Sequence, residues 1–225
     1  MYPQINKKSG WQGCNLTEIN GGKCNTEEDF YKACRAASIL GTLQAGYTDF
    51  KFLTDTSKLI FDREALLGVS ITGWMNNPDI LFNEKILEKG AQIVKDVNRE
   101  VARIIGINPA ARTTCVKPSG NASVLLQTAS GIHAEHSPMY IRNVQMNKES
   151  EITQAIMKTN PYMVEESVWS AGGTDVVVSF PIMPNKGSMY KDDLLGVKHL
   201  ELVKKAQKHW VEAGTNEELC ADRGV

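Results

Sequence analysis

The sequence predicts an α/β fold with parallel strands, built as an incomplete barrel or sheet. Apolar helical segments alternate with short β-branched runs, and 42% of the residues are hydrophobic, enough to form a core. The last helical segment has no strand after it, although a right-handed β-α-β crossover normally ends on such a return strand. We therefore predict one domain, residues 1–225, that forms part of a larger structure.

The N-terminal third predicts an irregular segment, a helix and a strand. Residues 1–25 are rich in Gly, Asn and Lys and predict irregular structure around a short apolar piece. Asn25 and Glu28 have capping-box spacing, and apolar residues follow them at helical period, so a helix is expected there. The alternating run 66–73 ends in glycine and predicts a strand.

The middle of the chain predicts a long helix and then a short strand that ends in a turn. Asn83 caps a segment whose apolar residues keep one helical face to about Ile105, where a glycine follows. The β-branched run 113–116 predicts a short strand, and Pro118 breaks it before the apolar stretch 122–126.

The C-terminal part predicts two strands and a final helix. Residues 140–144 are a strand candidate, and residues 175–181 give the strongest strand signal in the chain. An amphipathic helix is expected from about residue 197 to residue 212.

Charge and hydropathy exclude several classes of partner. The net charge of -1 gives no reason to expect a duplex nucleic acid, because phosphate-tracking surfaces usually carry a basic excess. No apolar run approaches the roughly 20 residues that a membrane helix needs, and the first residues lack the pattern of a signal peptide. We expect a cytoplasmic protein without a membrane partner.

Cysteine usage argues against a disulfide framework and a structural zinc site. The number of cysteines is odd and no C-x-x-C pair occurs among Cys14, Cys24, Cys34, Cys115 and Cys220. These residues are therefore expected to be free thiols, and a reactive one must be argued individually.

Two segments are candidates for chemistry. In the first, Cys14, Asn15 and Glu18 place a thiol, an amide and a carboxylate within five residues, as a catalytic cysteine with an acid-base partner requires. A loop with a buried, inert cysteine is the alternative. In the second segment, a strand leads through a turn into the start of a helix, where free backbone amides suit a phosphate. An ordinary junction between strand and helix is the alternative. The residues of this segment are Pro118, Ser119, Gly120, Asn121, Ala122 and Ser123.

A third segment contains His133 and His136, with Glu135 between them. The two histidines are three apart in a stretch that also carries glycine and proline, and no further ligand cluster occurs elsewhere. We therefore predict no metal site and favour a structural or substrate-contact role for these side chains.

Together, these segments resemble the second half of the catalytic barrel of ribonucleotide reductases. Residues 14–19 (CNLTEI) resemble the finger-loop segment that carries the radical cysteine, and residues 63–73 resemble the strand after it. Residues 117–123 (KPSGNAS) are similar to the substrate-phosphate loop. Residues 130–133 and 140–142 match a run typical of the adenosylcobalamin-dependent members.

The resemblance implies a fold, an activity and partners. The fold would be about half of a ten-stranded α/β barrel of the ribonucleotide reductase and glycyl-radical type, with its finger loop. The activity would be reduction of ribonucleoside di- or triphosphates by thiyl-radical chemistry with adenosylcobalamin. The chain would be a fragment or split subunit, inactive without the missing N-terminal half-barrel or self-association, and the full enzyme would use a thioredoxin-like reductant.

The resemblance also assigns roles to residues. Cys14 would abstract the ribose 3′-hydrogen as a thiyl radical, Glu18 would accept the 3′-hydroxyl proton, and Asn15 would bind the ribose hydroxyls. The commonest family pattern is Asn-x-Cys-x-Glu, whereas here Cys14 lies four residues before Glu18. Two alternatives therefore stay open, a non-catalytic relative that binds a nucleotide or phosphate and a structural partner subunit.

Overall fold

The computed structural model describes residues 4–223, and they fall into two compact units. One unit comprises residues 4–135 and 185–223, and the other comprises His136–Pro184. The expectation of a single domain over residues 1–225 stays a prediction.

The elements follow one another along the chain in mixed order. The strands are β1 (Gln4–Ile5), β2 (Lys8–Ser9), β3 (Asn15–Asn20), β4 (Leu67–Thr72), β5 (Tyr140–Asn147), β6 (Val164–Glu166) and β7 (Asp175–Ile182). The helices are α1 (Glu27–Ala45), α2 (Asp55–Glu64), α3 (Pro78–Leu81), α4 (Glu84–Ile105), α5 (Gly120–Leu126), α6 (Glu151–Thr159), α7 (Val197–Ala206) and α8 (Glu217–Arg223).

The sheet of the first unit that contains β3 and β4 is parallel, as the sequence predicts, whereas the short strands β1 and β2 pair antiparallel. β3 pairs with β4 from Asn15↔Leu67 to Asn20↔Thr72. On the other side of β4, Val69 forms a parallel bridge to Thr114, and the amide of Cys115 donates to the Val69 carbonyl at 3.0 Å. The predicted strand at 113–116 is therefore a single bridge, and residues 113–117 continue the sheet only as an extended segment.

The irregular structure expected for residues 1–25 does not extend through this segment, because Asn15–Asn20 is a strand of the parallel sheet. One side of β3 packs on α1: the Thr17 hydroxyl donates to the Ala37 carbonyl at 3.1 Å, and Ile19 is buried in the core. These contacts hold the segment extended.

Helices α1 and α4 cover one face of the sheet and form its core. Val69 and Ile71 of β4 are fully buried there with Phe30 of α1 and Leu87 of α4. Trp210 closes this core, and its indole N–H donates to the Val69 carbonyl at 3.3 Å and to the Cys115 carbonyl at 3.2 Å. Since strand side chains alternate, the residues between these core positions face the other way.

Capping explains where the long helices begin. The predicted capping box at Asn25 and Glu28 is wrong by one residue, because Thr26 caps α1 and its reciprocal partner is Asp29. A threonine hydroxyl and an aspartate carboxylate at this spacing satisfy the same two amides. The prediction for α4 is confirmed: the Asn83 side chain accepts from the Ile86 amide, and Gly106 ends the helix with φ 77°.

The final helix is interrupted. α7 passes into a π-helical turn, Gln207–Glu212, and α8 follows after a short break. The helix predicted from about residue 197 to residue 212 is therefore confirmed over these residues, although its last part is π-helical. A π-turn rotates the following side chains relative to an α-helix, and here it is the segment that carries Trp210.

The second unit is an antiparallel sheet with one helix. β7 lies between β5 and β6, with β5 paired from Tyr140↔Ile182 to Asn147↔Asp175. The strands predicted at 140–144 and 175–181 are confirmed and are longer, but the expectation of parallel strands does not hold in this unit. None of the helices in residues 4–223 is long and apolar enough to cross a membrane.

Candidate active site

The face of the parallel sheet that points away from α1 and α4 carries the thiol of the first predicted segment. We call this face the thiol face and define it by Cys14, Glu18, Gly68, Cys115 and Lys117. Alternation along β3 and β4 places Glu18 opposite Ser70 in the register, on the side away from Ile19 and Val69.

Two cysteine sulfurs meet over a glycine on the thiol face. A Cβ atom at Gly68 would lie 2.8 Å from the Cys14 sulfur and 3.0 Å from the Cys115 sulfur. Any larger residue at position 68 would therefore displace both thiols. Cys14 is exposed and Cys115 is half-buried, so reagents can reach the pair.

Desolvation of the sulfur atoms keeps both thiols protonated, although Cys14 as a whole residue is exposed. Burial of the sulfur raises the pKa of Cys14 to about 11. Burial also raises the pKa of Cys115 to about 12, helped by the charges of Cys14 and Glu18 and opposed by Lys117. A nucleophilic cysteine needs a lowered thiol pKa, so this environment argues against attack by a thiolate.

Glu18 presents one free oxygen on this face. Its Oε2 atom forms an ion pair of 3.0 Å with the Lys117 ammonium, and only 8% of its side chain is exposed. Its Oε1 atom is buried without a hydrogen-bond partner among the described residues. A buried acceptor without a donor is costly, and a ligand hydroxyl or amine would satisfy it.

Asn15 does not join this group. It pairs with Leu67, whose side chain lies in the helix-covered core, and its amide donates to the Leu66 carbonyl at 3.1 Å. Since Asn15 lies between Cys14 and Leu16 on an extended strand, its side chain points away from the thiol face. The structure therefore does not bring Asn15 together with Cys14 and Glu18.

The predicted phosphate turn follows directly from Lys117. The Lys117 amide donates to the Ser70 hydroxyl at 3.0 Å, which fixes the segment on β4. Ser119 then adopts φ 58°, and α5 begins at Gly120. The amides of Gly120, Asn121 and Ala122 are the first of this helix and have no partner within it, so they remain available to an anion.

The hydroxyls of this turn are used by the backbone. Ser119 donates to the Lys117 carbonyl at 3.2 Å and Ser123 to the Gly120 carbonyl at 3.0 Å, and both side chains are buried. Both hydroxyl protons are therefore directed to the backbone rather than to a bound anion. The backbone amides remain as the predicted anion contacts.

Sequence reasoning missed two members of the thiol face, Lys117 and Gly68. Lys117 precedes the quoted Pro-Ser-Gly turn, but nothing in the sequence says that it reaches Glu18, 99 residues earlier. Gly68 lies in a predicted strand, where a glycine is a signal for close approach of other groups.

The histidines of the third segment have structural contacts. The His133 ring donates from Nδ1 to the Ser130 carbonyl at 2.9 Å, and His136 packs edge-on against Tyr140. Within residues 4–223, no group of three or more His, Cys, Asp or Glu side chains is placed to hold a metal ion.

Two curated relatives carry the sequence resemblance. The chain is 26% identical over 205 residues to the probable adenosylcobalamin-dependent ribonucleoside-triphosphate reductase of Dictyostelium discoideum, which covers 88% of the chain and 26% of the relative. It is 24% identical over 206 residues to the adenosylcobalamin-dependent ribonucleoside-triphosphate reductase of Euglena gracilis, at 88% and 27%. The chain thus spans about a quarter of their length.

A solved structure carries the resemblance in fold. A crystal structure of a B12-dependent (class II) ribonucleotide reductase superposes with a TM-score of 0.72 at 16% identity, over 94% of this chain and 35% of that one. No family profile matches the sequence. The resemblance predicted from the sequence motifs and the predicted partial α/β barrel are confirmed.

Proposed function

We propose that this chain, similar to about a quarter of adenosylcobalamin-dependent ribonucleoside-triphosphate reductases, carries part of the active site of such an enzyme. The observation that carries this proposal is the thiol face. It places a protonated thiol and a buried carboxylate with a free oxygen beside a turn with open amides. These groups would activate and hold the nucleotide sugar, while a dithiol outside this chain would supply the two electrons that reduce its 2′-carbon.

Cys14 is the hydrogen-transferring group in this proposal. Its raised pKa keeps hydrogen on the sulfur at neutral pH. A thiol S–H bond is weak enough for reversible exchange with a sugar C–H bond, so the thiyl form takes the ribose 3′-hydrogen and returns it later. Glu18 accepts the 3′-hydroxyl proton through its unpartnered Oε1 atom, while Lys117 holds the other oxygen.

The turn after Lys117 holds the substrate phosphates. The amides of Gly120, Asn121 and Ala122 supply donors without a charged side chain, as helix starts do at other phosphate sites. Pro118, Ser119 and Ser123 shape the turn through backbone bonds and burial. Holding the phosphate fixes the position of the sugar over the thiol face, which lowers the entropy cost of the reaction.

The similar proteins are adenosylcobalamin-dependent, and we extend this cofactor to the present chain. Adenosylcobalamin would supply the radical that converts the thiol to its thiyl form. The exposed, protonated thiol of Cys14 fits a hydrogen donor to such a radical. We assign no residue of this chain to the corrin.

The remaining expectations belong to the same proposal. They are a ribonucleoside triphosphate substrate, the remainder of the barrel on another polypeptide segment or a second copy, and a thioredoxin-like reductant. We also propose that residues 1–225 form a single domain and that the protein is located in the cytoplasm.

A complementation assay tests this function. The Dictyostelium relative without its matched segment is mixed with this chain, and we call the mixture the complemented enzyme. We expect deoxyribonucleotide formation from a ribonucleoside triphosphate only when this chain, adenosylcobalamin and a dithiol are all present. The truncated relative alone is the control.

A second outcome would favour the binding alternative. The ion pair between Glu18 and Lys117 supports the binding alternative, because a carboxylate that is paired with a lysine often has a structural role rather than a catalytic one. Saturable binding of the nucleotide to the isolated chain, with no turnover in the complemented enzyme, would contradict the reductase role and support a nucleotide-binding relative.

A further inference from the structure

We propose that Cys14 and Cys115 form a binding site for a soft monovalent metal ion, of which Cu(I) is the biological example. The ion would lie between the two sulfurs above Gly68. This site is independent of the reductase proposal, since metal binding needs neither a nucleotide nor the rest of the barrel.

The spacing of the two thiols suits a bridging ion better than a disulfide. β3 and the segment at residue 114 lie on opposite sides of β4, so their backbones are two strand spacings, about 9.5 Å, apart. A disulfide needs Cα atoms within about 4.4–6.8 Å of each other, so the two cysteines cannot bridge without backbone movement. Two metal–sulfur bonds of about 2.3 Å each span the gap without it.

The sulfurs already converge on the required point. Both lie within 3.0 Å of the position of a Cβ atom on Gly68, and a methyl carbon of Leu16 lies 2.5 Å from the same position. Linear coordination therefore needs rotation of the two cysteine side chains and of the half-exposed Leu16 side chain, which can turn toward solvent. Two thiolates select Cu(I), because soft ligands prefer soft ions and a tetrahedral ion needs more ligands than this cluster offers.

The charged side chains near the two sulfurs have opposite effects on a bound Cu(I) ion. One Cu(I) displaces two thiol protons, so the coordinated pair carries one negative charge. The Lys117 ammonium already stabilises a negative charge on Cys115, whereas Glu18 opposes it. Because burial raises both pKa values, binding releases two protons and should strengthen as the pH rises.

A second thiol pair provides the matched control. Cys24 and Cys34 are close enough for the charge of Cys24 to act on Cys34. They are only 3% and 0% exposed, inside the core. The chain therefore contains one accessible thiol pair and one inaccessible pair. Comparing substitutions in the two pairs distinguishes coordination at Cys14 and Cys115 from a general affinity of thiols for copper.

The test is Cu(I) titration of the full chain under anaerobic, reducing conditions against a chromogenic Cu(I) chelator. We expect one tightly bound ion per chain, with two sulfur neighbours by X-ray absorption. Cys14→Ser and Cys115→Ser should each weaken binding by more than about 100-fold, since even outer-shell changes cost 10–100-fold. Cys24→Ser should leave the affinity unchanged.

A variant that keeps both thiols sharpens the test. Gly68→Ala places a methyl group where the ion would lie, so binding should fall while circular dichroism and the count of titratable thiols stay as in the wild type. If Cys14→Ser and Cys115→Ser both retain wild-type affinity, the ion binds elsewhere and the proposal is overturned. The cysteine variants decide the matter if the alanine variant fails to fold.

Discussion

Replacing Cys14 with serine in the complemented enzyme is expected to lower turnover by at least about 10³-fold, the scale on which loss of an essential reacting group acts. Serine keeps the size of the side chain, but its O–H bond is too strong to exchange hydrogen with a sugar C–H bond. The nucleotide affinity should change little, because the phosphate contacts are proposed for the turn after Lys117. The measurement is initial rate and KM with saturating cofactor and dithiol.

Cys220→Ser is the control for this loss. Cys220 is buried against Leu66 and Ala111, and its thiol donates to the Ala111 carbonyl. That variant should keep turnover within a few-fold of the wild type. Wild-type turnover in Cys14→Ser would remove the catalytic assignment of this thiol.

The second large effect concerns stability. Trp210→Ala should lower the free energy of unfolding by about 3–5 kcal/mol, the usual cost of removing a large buried aromatic side chain. Trp210 is fully buried, packs against Phe30 with ring centroids 5.8 Å apart, and donates to two carbonyls of the sheet. Its loss leaves a cavity and two carbonyls with one donor fewer.

Urea unfolding followed by circular dichroism measures this change. Trp169→Ala is the matched control, because that indole is 83% exposed and its removal should change the free energy of unfolding by no more than about 0.5 kcal/mol. Equal effects of the two substitutions would show that Trp210 does not close the core.

Sequence patterns predict elements well where one face is apolar and the ends carry their own signals. α4 has a capping asparagine, an apolar stripe and a terminal glycine, and it forms over almost the predicted residues. β3 lacks such signals, because Thr17 and Ile19 pack on α1 while the alternate positions carry Glu18 and an exposed leucine. Only pairing with β4, about 50 residues later, makes this segment a strand.

The same long-range pairing limits what the sequence says about the site. The thiol, the carboxylate and the phosphate turn could be identified as chemistry-bearing groups from their residue types. The direction in which the Asn15 side chain points could not be predicted, because it follows from strand alternation and the segment was expected to be irregular. The contact of Lys117 with Glu18 could not be predicted either, because it joins two segments that lie on opposite sides of β4.

The most direct measurement is the alkylation rate of Cys14 in the isolated chain, with and without bound ribonucleoside triphosphate at fixed pH, read by mass spectrometry. If one nucleotide spans the turn and the sulfur, saturating nucleotide should slow modification of Cys14 at least about 10-fold, in proportion to the occupied fraction. Inorganic phosphate should leave the rate unchanged. An unaltered rate under conditions where calorimetry shows the nucleotide bound would contradict the shared site.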